Sequence, residues 1–371
     1  MPLYLTEDQV MLRDTARQLM ADEGSIANQL RKYRDMGCKD GFGHALWKQL
    51  AELGFTGILI GEADGGLGLG HVEAGIVLEE IGRNLTPSPF LITAVAVVEA
   101  LKGTRHGQRW FPGILAGDSV AALAVDEGPK HRPEAIAMRA ERAGNGFRLT
   151  GRKQFVVQGA SADVIVVAAR SDEGLTLFAV EKEAKGLDVE GVRLVDSSIG
   201  ARLDFQGVEV DSDAVIGEVG QGDEVLGRVL NAGRAGAASE MVGLGSAAMG
   251  MTVDYLKQRK QFGKLIGEFQ VLQHRAAHLY SELEIARSAA IKAQQLLDEG
   301  SPEAEAMVSV AKAKAGRASA LAVQDGVQMH GGIGMTDEYD IGLYMKRDRA
   351  LNELFGDSNY HADKLARMKG Y

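Results

Sequence analysis

Two short motifs in the C-terminal third of the chain carry residue types suited to binding an anion. In chain order, these residues are Arg259, Phe262 and Gln270, then Gln328, Gly331 and Gly332. An arginine can pair bidentately with a phosphate group, and adjacent glycines let backbone amides approach such a group closely. Taken alone, an arginine near a phenylalanine usually marks a solvated surface, and a glycine pair usually marks a helix end. The two motifs together favour an anion-binding role.

The overall composition argues against several classes of function. The 371 residues are 45% hydrophobic and carry a net charge of −10, which is typical of a globular protein and unlike a nucleic-acid-binding one. The single cysteine, Cys38, permits no disulfide within the chain, and the N-terminal segment lacks the pattern of a signal peptide. The apolar stretch from Phe90 to Ala100 is shorter than the roughly 20 residues that span a bilayer and predicts a buried helix. We therefore expect a cytoplasmic protein without a membrane span, and we predict no metal site.

The hydrophobic period divides the chain into three zones. Residues 1–118 show helical spacing, and Thr6 is placed to cap the first helix. Residues 119–216 contain apolar runs and alternating patterns typical of strands. Residues 217–371 return to long helical stripes. This order predicts an α+β fold with an N-terminal α-helical domain, a middle β domain and a C-terminal helical bundle.

Several segments resemble the acyl-CoA dehydrogenase family. The two C-terminal motifs read RKQFGKLIGEFQ from Arg259 and QMHGGIGMT from Gln328, and Lys346-Arg347-Asp348 follows them. Near the N-terminus, TEDQVMLRDTARQLM and LAELGFTGILIGEADGGLGLG are similar to the same family. The resemblance covers nearly the whole chain, and the α, β, α order matches the family fold. It implies that the middle domain is β-barrel-like and that the C-terminal domain is a four-helix bundle. It also implies an FAD-dependent oxidoreductase that desaturates an acyl-CoA thioester, with FAD held across a subunit interface of a tetramer.

The resemblance also implies which residues meet FAD. In relatives, the arginine and phenylalanine of the first motif meet the pyrophosphate and adenine end of the cofactor. The glutamine and paired glycines of the second motif meet the same cofactor from the neighbouring subunit, and this chain keeps the residues of both motifs that reach across to a neighbour's FAD. Carried over to this chain, the cofactor-binding residues are Arg259, Phe262, Gln270, Gln328, Gly331 and Gly332.

The catalytic base of the family is missing from both of its usual positions. The reaction needs a carboxylate that removes a proton from the α carbon of the acyl group. Relatives place this glutamate in a C-terminal Tyr-Glu-Gly-Thr segment or directly before an arginine that opens a long helix. Here the two positions hold Phe355 and Gly233. The arginine itself is kept as Arg234, and the resemblance implies that it lies beside the substrate.

Two other carboxylates are candidates for the base. Asp357 lies two residues after the usual position, although an aspartate there could equally cap the following helix. Glu240 lies seven residues after Gly233, which brings it to nearly the same face of a helix. Its alternative role is a salt-bridged or partner-facing glutamate. The residues leave both alternatives open.

The residues expected around the flavin ring also depart from the family. The Thr-Glu-Pro segment of relatives is replaced by a stretch that contains Asp126, and Trp-Ile-Thr-Asn-Gly is replaced by a stretch that contains Phe155 and Val157. An aromatic face remains at Phe155. The threonine that would bond the flavin becomes the apolar Val157, which removes one polarising contact.

These departures leave several interpretations of the function. The first is a subunit that completes the FAD site of a catalytic paralogue in a heterotetramer, as in relatives from bacterial sterol side-chain degradation. The second is a self-sufficient homotetramer whose base is Glu240 or Asp357. The third is a non-catalytic acyl-CoA-binding member, and the fourth is a flavin monooxygenase on the same fold. The family norm implies an electron-transferring flavoprotein as the electron acceptor and fatty acids or sterol side chains as substrates.

The small residues from Ala232 to Ala248 have two interpretations. Glycine and alanine at these positions leave volume that would suit a bulky acyl group. They equally allow two helices to pack closely.

Overall fold

The computed structural model describes residues 3–371, which form two compact units. The helical unit contains the chain up to Arg31, Gly75–Thr86 and Arg234–Tyr371, and the sheet unit contains Lys32–Ala74 and Pro87–Gly233. Along the chain, helices come first, strands follow and long helices return, so the predicted fold class is confirmed. The domain boundaries at residues 118 and 216 stay a prediction.

The elements have the following bounds. The helices are α1 (Glu7–Asp22), α2 (Lys32–Asp35), α3 (His44–Glu52), α4 (His71–Asn84), α5 (Val98–Leu101), α6 (Arg105–Leu115), α7 (Gly222–Gln258), α8 (Gln270–Asp298), α9 (Ala304–His330), α10 (Ile341–Glu353) and α11 (Ser358–Met368). The strands are β1 (Ala121–Ala124), β2 (Arg139–Ala143), β3 (Gly146–Val157), β4 (Val164–Ser171), β5 (Gly174–Glu181), β6 (Leu187–Arg193), β7 (Ile199–Asp211), β8 (Val215–Ile216), β9 (Lys260–Gln261) and β10 (Lys264–Leu265).

One large sheet forms the core of the sheet unit. Among the described residues, eight strands join in the order β6-β7-β3-β2-β4-β5-β8, with β1 paired in parallel to β4. Alternate side chains of β3 and β5 point into the core, where the rings of Phe147 and Phe178 meet edge to face at 5.2 Å. The long β3–β7 pairing is interrupted between Lys153 and Val156. This irregularity re-aims the side chains that lie within it.

The most apolar stretch of the chain is a π-helix in the sheet unit. Phe90–Val97 forms this helix, every side chain in it is buried, and α5 follows directly. The predicted buried helix is therefore confirmed. Across residues 3–371, none of the helices has both the length and the apolar character needed to cross a bilayer.

Glycines set the spacing between α4 and α7 in the helical unit. A Cβ at Gly82 would stand 2.0 Å from the carbonyl oxygen of Glu240, and one at Gly243 would stand 1.9 Å from that of Glu79. No side chain fits in such gaps, so the two backbones touch directly. At these positions the small residues serve close helix packing rather than space for a ligand. At the start of the same unit, Thr6 caps α1 as predicted.

Candidate functional site

A two-residue hairpin turn presents Phe262 to solvent. β9 pairs with β10, so Phe262 and Gly263 form the loop, and both have positive φ angles, 54° and 78°. Such turns favour asparagine or glycine, and a bulky aromatic residue is strained there. Phe262 is nevertheless 91% exposed, and its ring meets that of Phe269 edge to face at 6.3 Å. Strain combined with exposure is typical of a residue that contacts another molecule.

The paired glycines lie at the end of α9. This helix ends at His330, and Gly331 has a φ of 66°. Gly331 and Gly332 are exposed, and beyond their chain neighbours no described heavy atom lies within 4 Å of a Cβ built on either. Gln328 is exposed within the last turn of the same helix. A ligand can therefore approach the backbone here without meeting a side chain.

The structure brings the two motifs next to each other. Tyr255, near the end of α7, has its ring centroid 4.4 Å from that of His330, which directly precedes the glycine pair. Arg259 follows Tyr255 by one helical turn, donates its backbone N–H to the Tyr255 carbonyl at 2.9 Å and is exposed. Gln270 begins α8 and is exposed as well. A guanidinium, an aromatic ring and open backbone amides suit a diphosphate and a purine base. This donor set fits the nucleotide end of FAD.

The turn between α10 and α11, where the resemblance places the usual base, is buried. Phe355 there is only 5% exposed and has a φ of 60°, and Gly356 follows with a φ of 101°. The Phe355 carbonyl accepts hydrogen bonds from Arg234 Nε at 3.2 Å and from His361 Nε2 at 3.1 Å. Arg234 also donates to the Tyr360 hydroxyl at 3.3 Å. The position is thus filled by a phenyl ring, which cannot accept a proton, and Arg234 contacts the backbone of the same turn.

A buried lysine also contacts this turn. Lys312 of α9 is fully buried and donates to the carbonyls of Leu351 at 3.0 Å, Asn352 at 3.3 Å and Gly356 at 3.0 Å. Burial, reinforced by the positive charge of Arg234, lowers the pKa of Lys312 to about 7. Two of its acceptors belong to the last turn of α10, where carbonyls lack partners within the helix. Lys312 therefore ties the end of α10 to the turn that follows it.

Two more buried ionisable groups flank this lysine. Burial raises the pKa of Asp348 to about 6, although its carboxylate accepts a hydrogen bond from Ser319 Oγ at 2.5 Å. Burial also lowers the pKa of His361 to about 2, and the positive charge of Arg234 adds to the effect. His361 is therefore neutral at physiological pH, and its Nε2 donates to the Phe355 carbonyl.

Sequence reasoning missed Lys312, Asp348 and His361. Lys312 had a local signal, because it falls in the helical stripe formed by Val308 and Ala315, where a charged residue is unexpected. Asp348 belongs to the Lys346-Arg347-Asp348 segment of the resemblance, but its burial and that of His361 had no local signal, since both depend on contacts between separate helices.

Glu240 lies inside the helical unit, paired with an arginine. Glu240 is 2% exposed, and Arg347 donates to its Oε1 from Nε at 2.8 Å and from Nη2 at 2.6 Å. This is the salt-bridged role that the sequence left open for Glu240. A catalytic role stays a prediction.

Asp357 caps the last helix. Its carboxylate accepts hydrogen bonds from the backbone N–H groups of Asn359 at 3.1 Å and Tyr360 at 2.8 Å. These contacts satisfy donors that the first turn of α11 would otherwise leave unpaired. The capping alternative describes the observed geometry of Asp357, and its role as a base stays a prediction.

The candidates for the flavin ring lie in the sheet unit. Phe155 sits in the irregular part of β3 with a φ of 52°, and Val157 ends the strand. The Asp126 carboxylate lies 2.8 Å from His131 Nδ1, and its backbone carbonyl accepts from Gln154 at 2.7 Å. Val157 has no polar side-chain atom, and the Asp126 carboxylate is engaged by the histidine. These three side chains therefore fit the polar edge of a flavin ring poorly, although Phe155 keeps an aromatic surface.

A buried ion pair fixes the segment around Asp126. Lys153 is fully buried and donates to Glu127 Oε1 at 2.7 Å and to the Val125 carbonyl at 3.0 Å. Glu127 in turn accepts from the backbone N–H groups of Ala137 and Met138. The segment thus has a defined shape that is maintained by contacts within the sheet unit.

Comparison with known families matches almost the entire chain. Residues 6–118 match the acyl-CoA dehydrogenase N-terminal domain, residues 126–207 the middle domain and residues 220–369 the C-terminal domain.

Individual relatives agree with these family matches. The chain is 32% identical to isovaleryl-CoA dehydrogenase of Solanum tuberosum, over 83% of this chain and 78% of that protein. It is 30% identical to cyclohex-1-ene-1-carbonyl-CoA dehydrogenase of Geobacter metallireducens, over 96% of each chain. Among solved structures, the steroid ACAD Tcur3481-Tcur3483 superposes with a TM-score of 0.90 at 28% identity, covering 98% of both chains. The chain therefore belongs to the acyl-CoA dehydrogenase family, whose cofactor is FAD.

Proposed function

We propose that this chain is a subunit of an FAD-dependent acyl-CoA dehydrogenase and completes the FAD site of a catalytic paralogue. The reaction is the α,β-desaturation of an acyl-CoA thioester. One contrast carries the proposal: Phe262, on the nucleotide-binding side, is 91% exposed, whereas the base position is closed by Phe355, which is 5% exposed. The chain thus keeps the means to bind a cofactor and lacks the usual means to remove a proton.

The exposed motifs supply the nucleotide half of the cofactor site. In the proposed assembly, Arg259 pairs with the diphosphate and Phe262 stacks on the adenine. The open amides of Gly331 and Gly332 approach the same phosphates, and Gln328 adds a polar contact. FAD, when bound, supplies the hydride acceptor for the β carbon.

The proton of the α carbon goes to a glutamate of the paralogue. In this chain, Phe355 and Gly233 have no group that accepts a proton. Glu240 is engaged by Arg347, and Asp357 is engaged by the backbone of α11. General-base catalysis requires a carboxylate within hydrogen-bonding reach of the substrate. These engagements support a division of labour between two chains.

The proposed partners follow from this division. The assembly is a heterotetramer with a glutamate-bearing paralogue, and its electrons pass to an electron-transferring flavoprotein in the cytoplasm. The name of the steroid ACAD Tcur3481-Tcur3483 joins two proteins, and that structure is 28% identical to this chain. This likeness supports a two-chain enzyme and a role in sterol side-chain or fatty acid degradation.

The test compares the chain purified alone with the chain co-expressed with a glutamate-bearing paralogue. Visible spectra are recorded before and after anaerobic addition of a panel of acyl-CoA thioesters. We expect substoichiometric flavin and no bleaching for the chain alone, and a yellow complex that a thioester bleaches. In the complex, Arg259→Ala should weaken FAD binding by roughly 100-fold, since a bidentate charged contact is lost. The control Arg202→Ala removes an exposed arginine of the sheet unit and should change nothing.

Three other outcomes would each replace the proposal. Stoichiometric flavin that bleaches in the chain alone means a self-sufficient homotetramer. Absence of flavin in every combination means a non-catalytic acyl-CoA-binding member. Oxygen-dependent turnover with reduced flavin means a monooxygenase.

A further inference from the structure

Three aromatic rings form a compact cluster beside the nucleotide-binding motifs. The His330 ring contacts two tyrosines, with its centroid 4.4 Å from that of Tyr255 and 4.8 Å from that of Tyr339. The two tyrosine rings are 6.3 Å apart and meet edge to face. His330 is 3% exposed. Rings at these distances attract one another beyond the area they bury.

Each ring belongs to a segment that leads to the exposed site. Tyr255 lies one turn before Arg259, and the two are joined by a 2.9 Å backbone hydrogen bond. His330 directly precedes Gly331, where the backbone takes a positive φ of 66°. Tyr339 lies in the segment between Gly334 and α10. The cluster therefore links the arginine motif, the glycine pair and the segment that follows the pair.

The loop of Tyr339 is itself anchored. Arg31 donates to Asp340 Oδ1 from Nη2 at 2.6 Å and from Nε at 3.1 Å, and it donates to the Asp337 carbonyl at 2.7 Å. Because Arg31 bonds to both Asp337 and Asp340, it restrains the short segment between them, which contains Tyr339. Tyr339 therefore contacts His330 from a segment whose position is restrained by Arg31.

The histidine is held as a neutral ring. Its Nδ1 lies 2.7 Å from the Gly326 carbonyl and donates to it, and burial lowers the pKa of His330. Its buried Nε2 has no hydrogen-bond partner among the described residues. A polar atom without a partner costs free energy, so the ring contributes through its stacking rather than through Nε2.

We infer that Tyr255, His330 and Tyr339 form an aromatic clamp that positions the Gly331-Gly332 turn relative to Arg259, so that one diphosphate meets both. The inference rests on the proposed FAD-binding role and adds His330 as a positioning residue that does not touch the cofactor. A diphosphate spans only a few ångströms, so a shift of about 1 Å between its two binding elements lowers affinity substantially.

The test uses two variants of similar volume at one position. His330→Phe keeps a flat ring in contact with both tyrosines, and His330→Leu keeps apolar volume without a ring. Both variants are prepared in the assembly that retains flavin. The bound cofactor is removed, and the protein is then titrated with FAD while the quenching of flavin fluorescence is measured. We expect the Phe variant to bind FAD within about twofold of the unmodified protein and the Leu variant to bind about tenfold more weakly. FMN, which lacks the diphosphate and the adenine, should show the same affinity for both variants.

The outcomes separate the clamp from the proposed function. If the Leu variant binds FAD like the unmodified protein while Arg259→Ala binds it weakly, the clamp is wrong and the FAD role stands. If Arg259→Ala also binds FAD normally, the FAD role itself is wrong. If the Leu variant melts many degrees lower without FAD or loses FMN affinity equally, His330 is merely structural, and the inference is overturned.

Discussion

Of the three phenylalanines with a positive φ angle, two lie in opposite surroundings. Phe262 and Phe355 both have positive φ angles, 54° and 60°, and a glycine with positive φ follows each. Phe262 is 91% exposed, whereas Phe355 is 5% exposed. A bulky residue in this region costs about 1–3 kcal/mol, which the surroundings must offset. Phe355 is held from inside the chain by Arg234 and His361. Among the described residues, the Phe262 ring meets that of Phe269 edge to face at 6.3 Å.

The turn at Phe355 is stabilised by contacts within the chain. The turn at Phe262 lacks comparable contacts with the rest of the described chain and is positioned to contact another molecule. The cost of the positive φ angle at Phe355 is offset within the helical unit by hydrogen bonds to its carbonyl and by burial of its ring. The strain at Phe262 has little compensation in the isolated chain. A ligand that covers the exposed ring would supply it. Substitutions at the two turns should therefore affect different properties.

The largest expected effect is at the buried turn. Phe355→Gly relieves the left-handed backbone but removes a buried ring, and the loss of packing dominates. We expect the free energy of unfolding to fall by about 3 kcal/mol in urea denaturation. FAD affinity of the assembly should change little. A variant as stable as the unmodified protein would mean that Phe355 is not packed as described.

The second-largest loss of stability is expected at Lys312, which contacts the turn at Phe355. Lys312→Met leaves three carbonyls without their donor, and we expect a loss of about 2 kcal/mol. Lys314→Met is the matched control on the same helix, because Lys314 makes a partly exposed ion pair with Glu282 and should matter by less than about 1 kcal/mol. Equal losses for both variants would contradict the special role of Lys312.

The pH dependence of stability tests the same lysine. Burial lowers the pKa of Lys312 to about 7 from a reference value of 10.5, so between these values the unfolded chain binds more protons than the folded one. The free energy of unfolding should therefore rise from pH 7 to pH 9 by about 1 kcal/mol per pH unit from this group. Urea denaturation at the two pH values measures it, and Lys312→Met should lack this contribution. A steeper rise in the Met variant would reverse the assigned direction.

A smaller loss of stability is expected at the two candidate bases, Glu240 and Asp357. Glu240→Gln weakens the ion pair with Arg347 and should cost about 1.5 kcal/mol, whereas Asp357→Asn keeps a good helix cap and should cost less than about 0.5 kcal/mol. In the assembly with the paralogue, both variants should retain turnover and FAD. Loss of turnover with FAD still bound in either variant would identify that carboxylate as the base.

The smallest change in stability is expected at the exposed turn. Phe262→Gly places the favoured residue in a two-residue hairpin and should raise the free energy of unfolding by at most about 1 kcal/mol. FAD affinity, measured by fluorescence titration, should fall about tenfold because a stacking ring is lost. If instead stability falls and FAD binding is unchanged, the contrast between the two turns is wrong.

Local patterns predicted much of this architecture. The helical and strand periods predicted the α, β, α order, and Thr6 predicted the first cap. Asp357 was recognised as a possible cap because capping is a local property. The partner of Glu240 was out of reach, since Arg347 lies 107 residues away and periodicity carries no information about such pairs. The burial of Asp348 and His361 near Phe355 was missed for the same reason, because the contacts that bury them join separate helices. Lys312, by contrast, had a local signal in its own helix.

The glycine contacts between α4 and α7 have a mechanical consequence. Gly82 lies against the carbonyl of Glu240 and Gly243 against that of Glu79, so the same arrangement occurs twice with the roles of the two helices exchanged. Sliding one helix by a single residue, a rise of about 1.5 Å, would drive a side chain into the opposing backbone at both points. The two contacts therefore prevent α4 and α7 from sliding along each other. Any motion that admits a substrate or releases a product must leave this junction unchanged and take place elsewhere in the molecule.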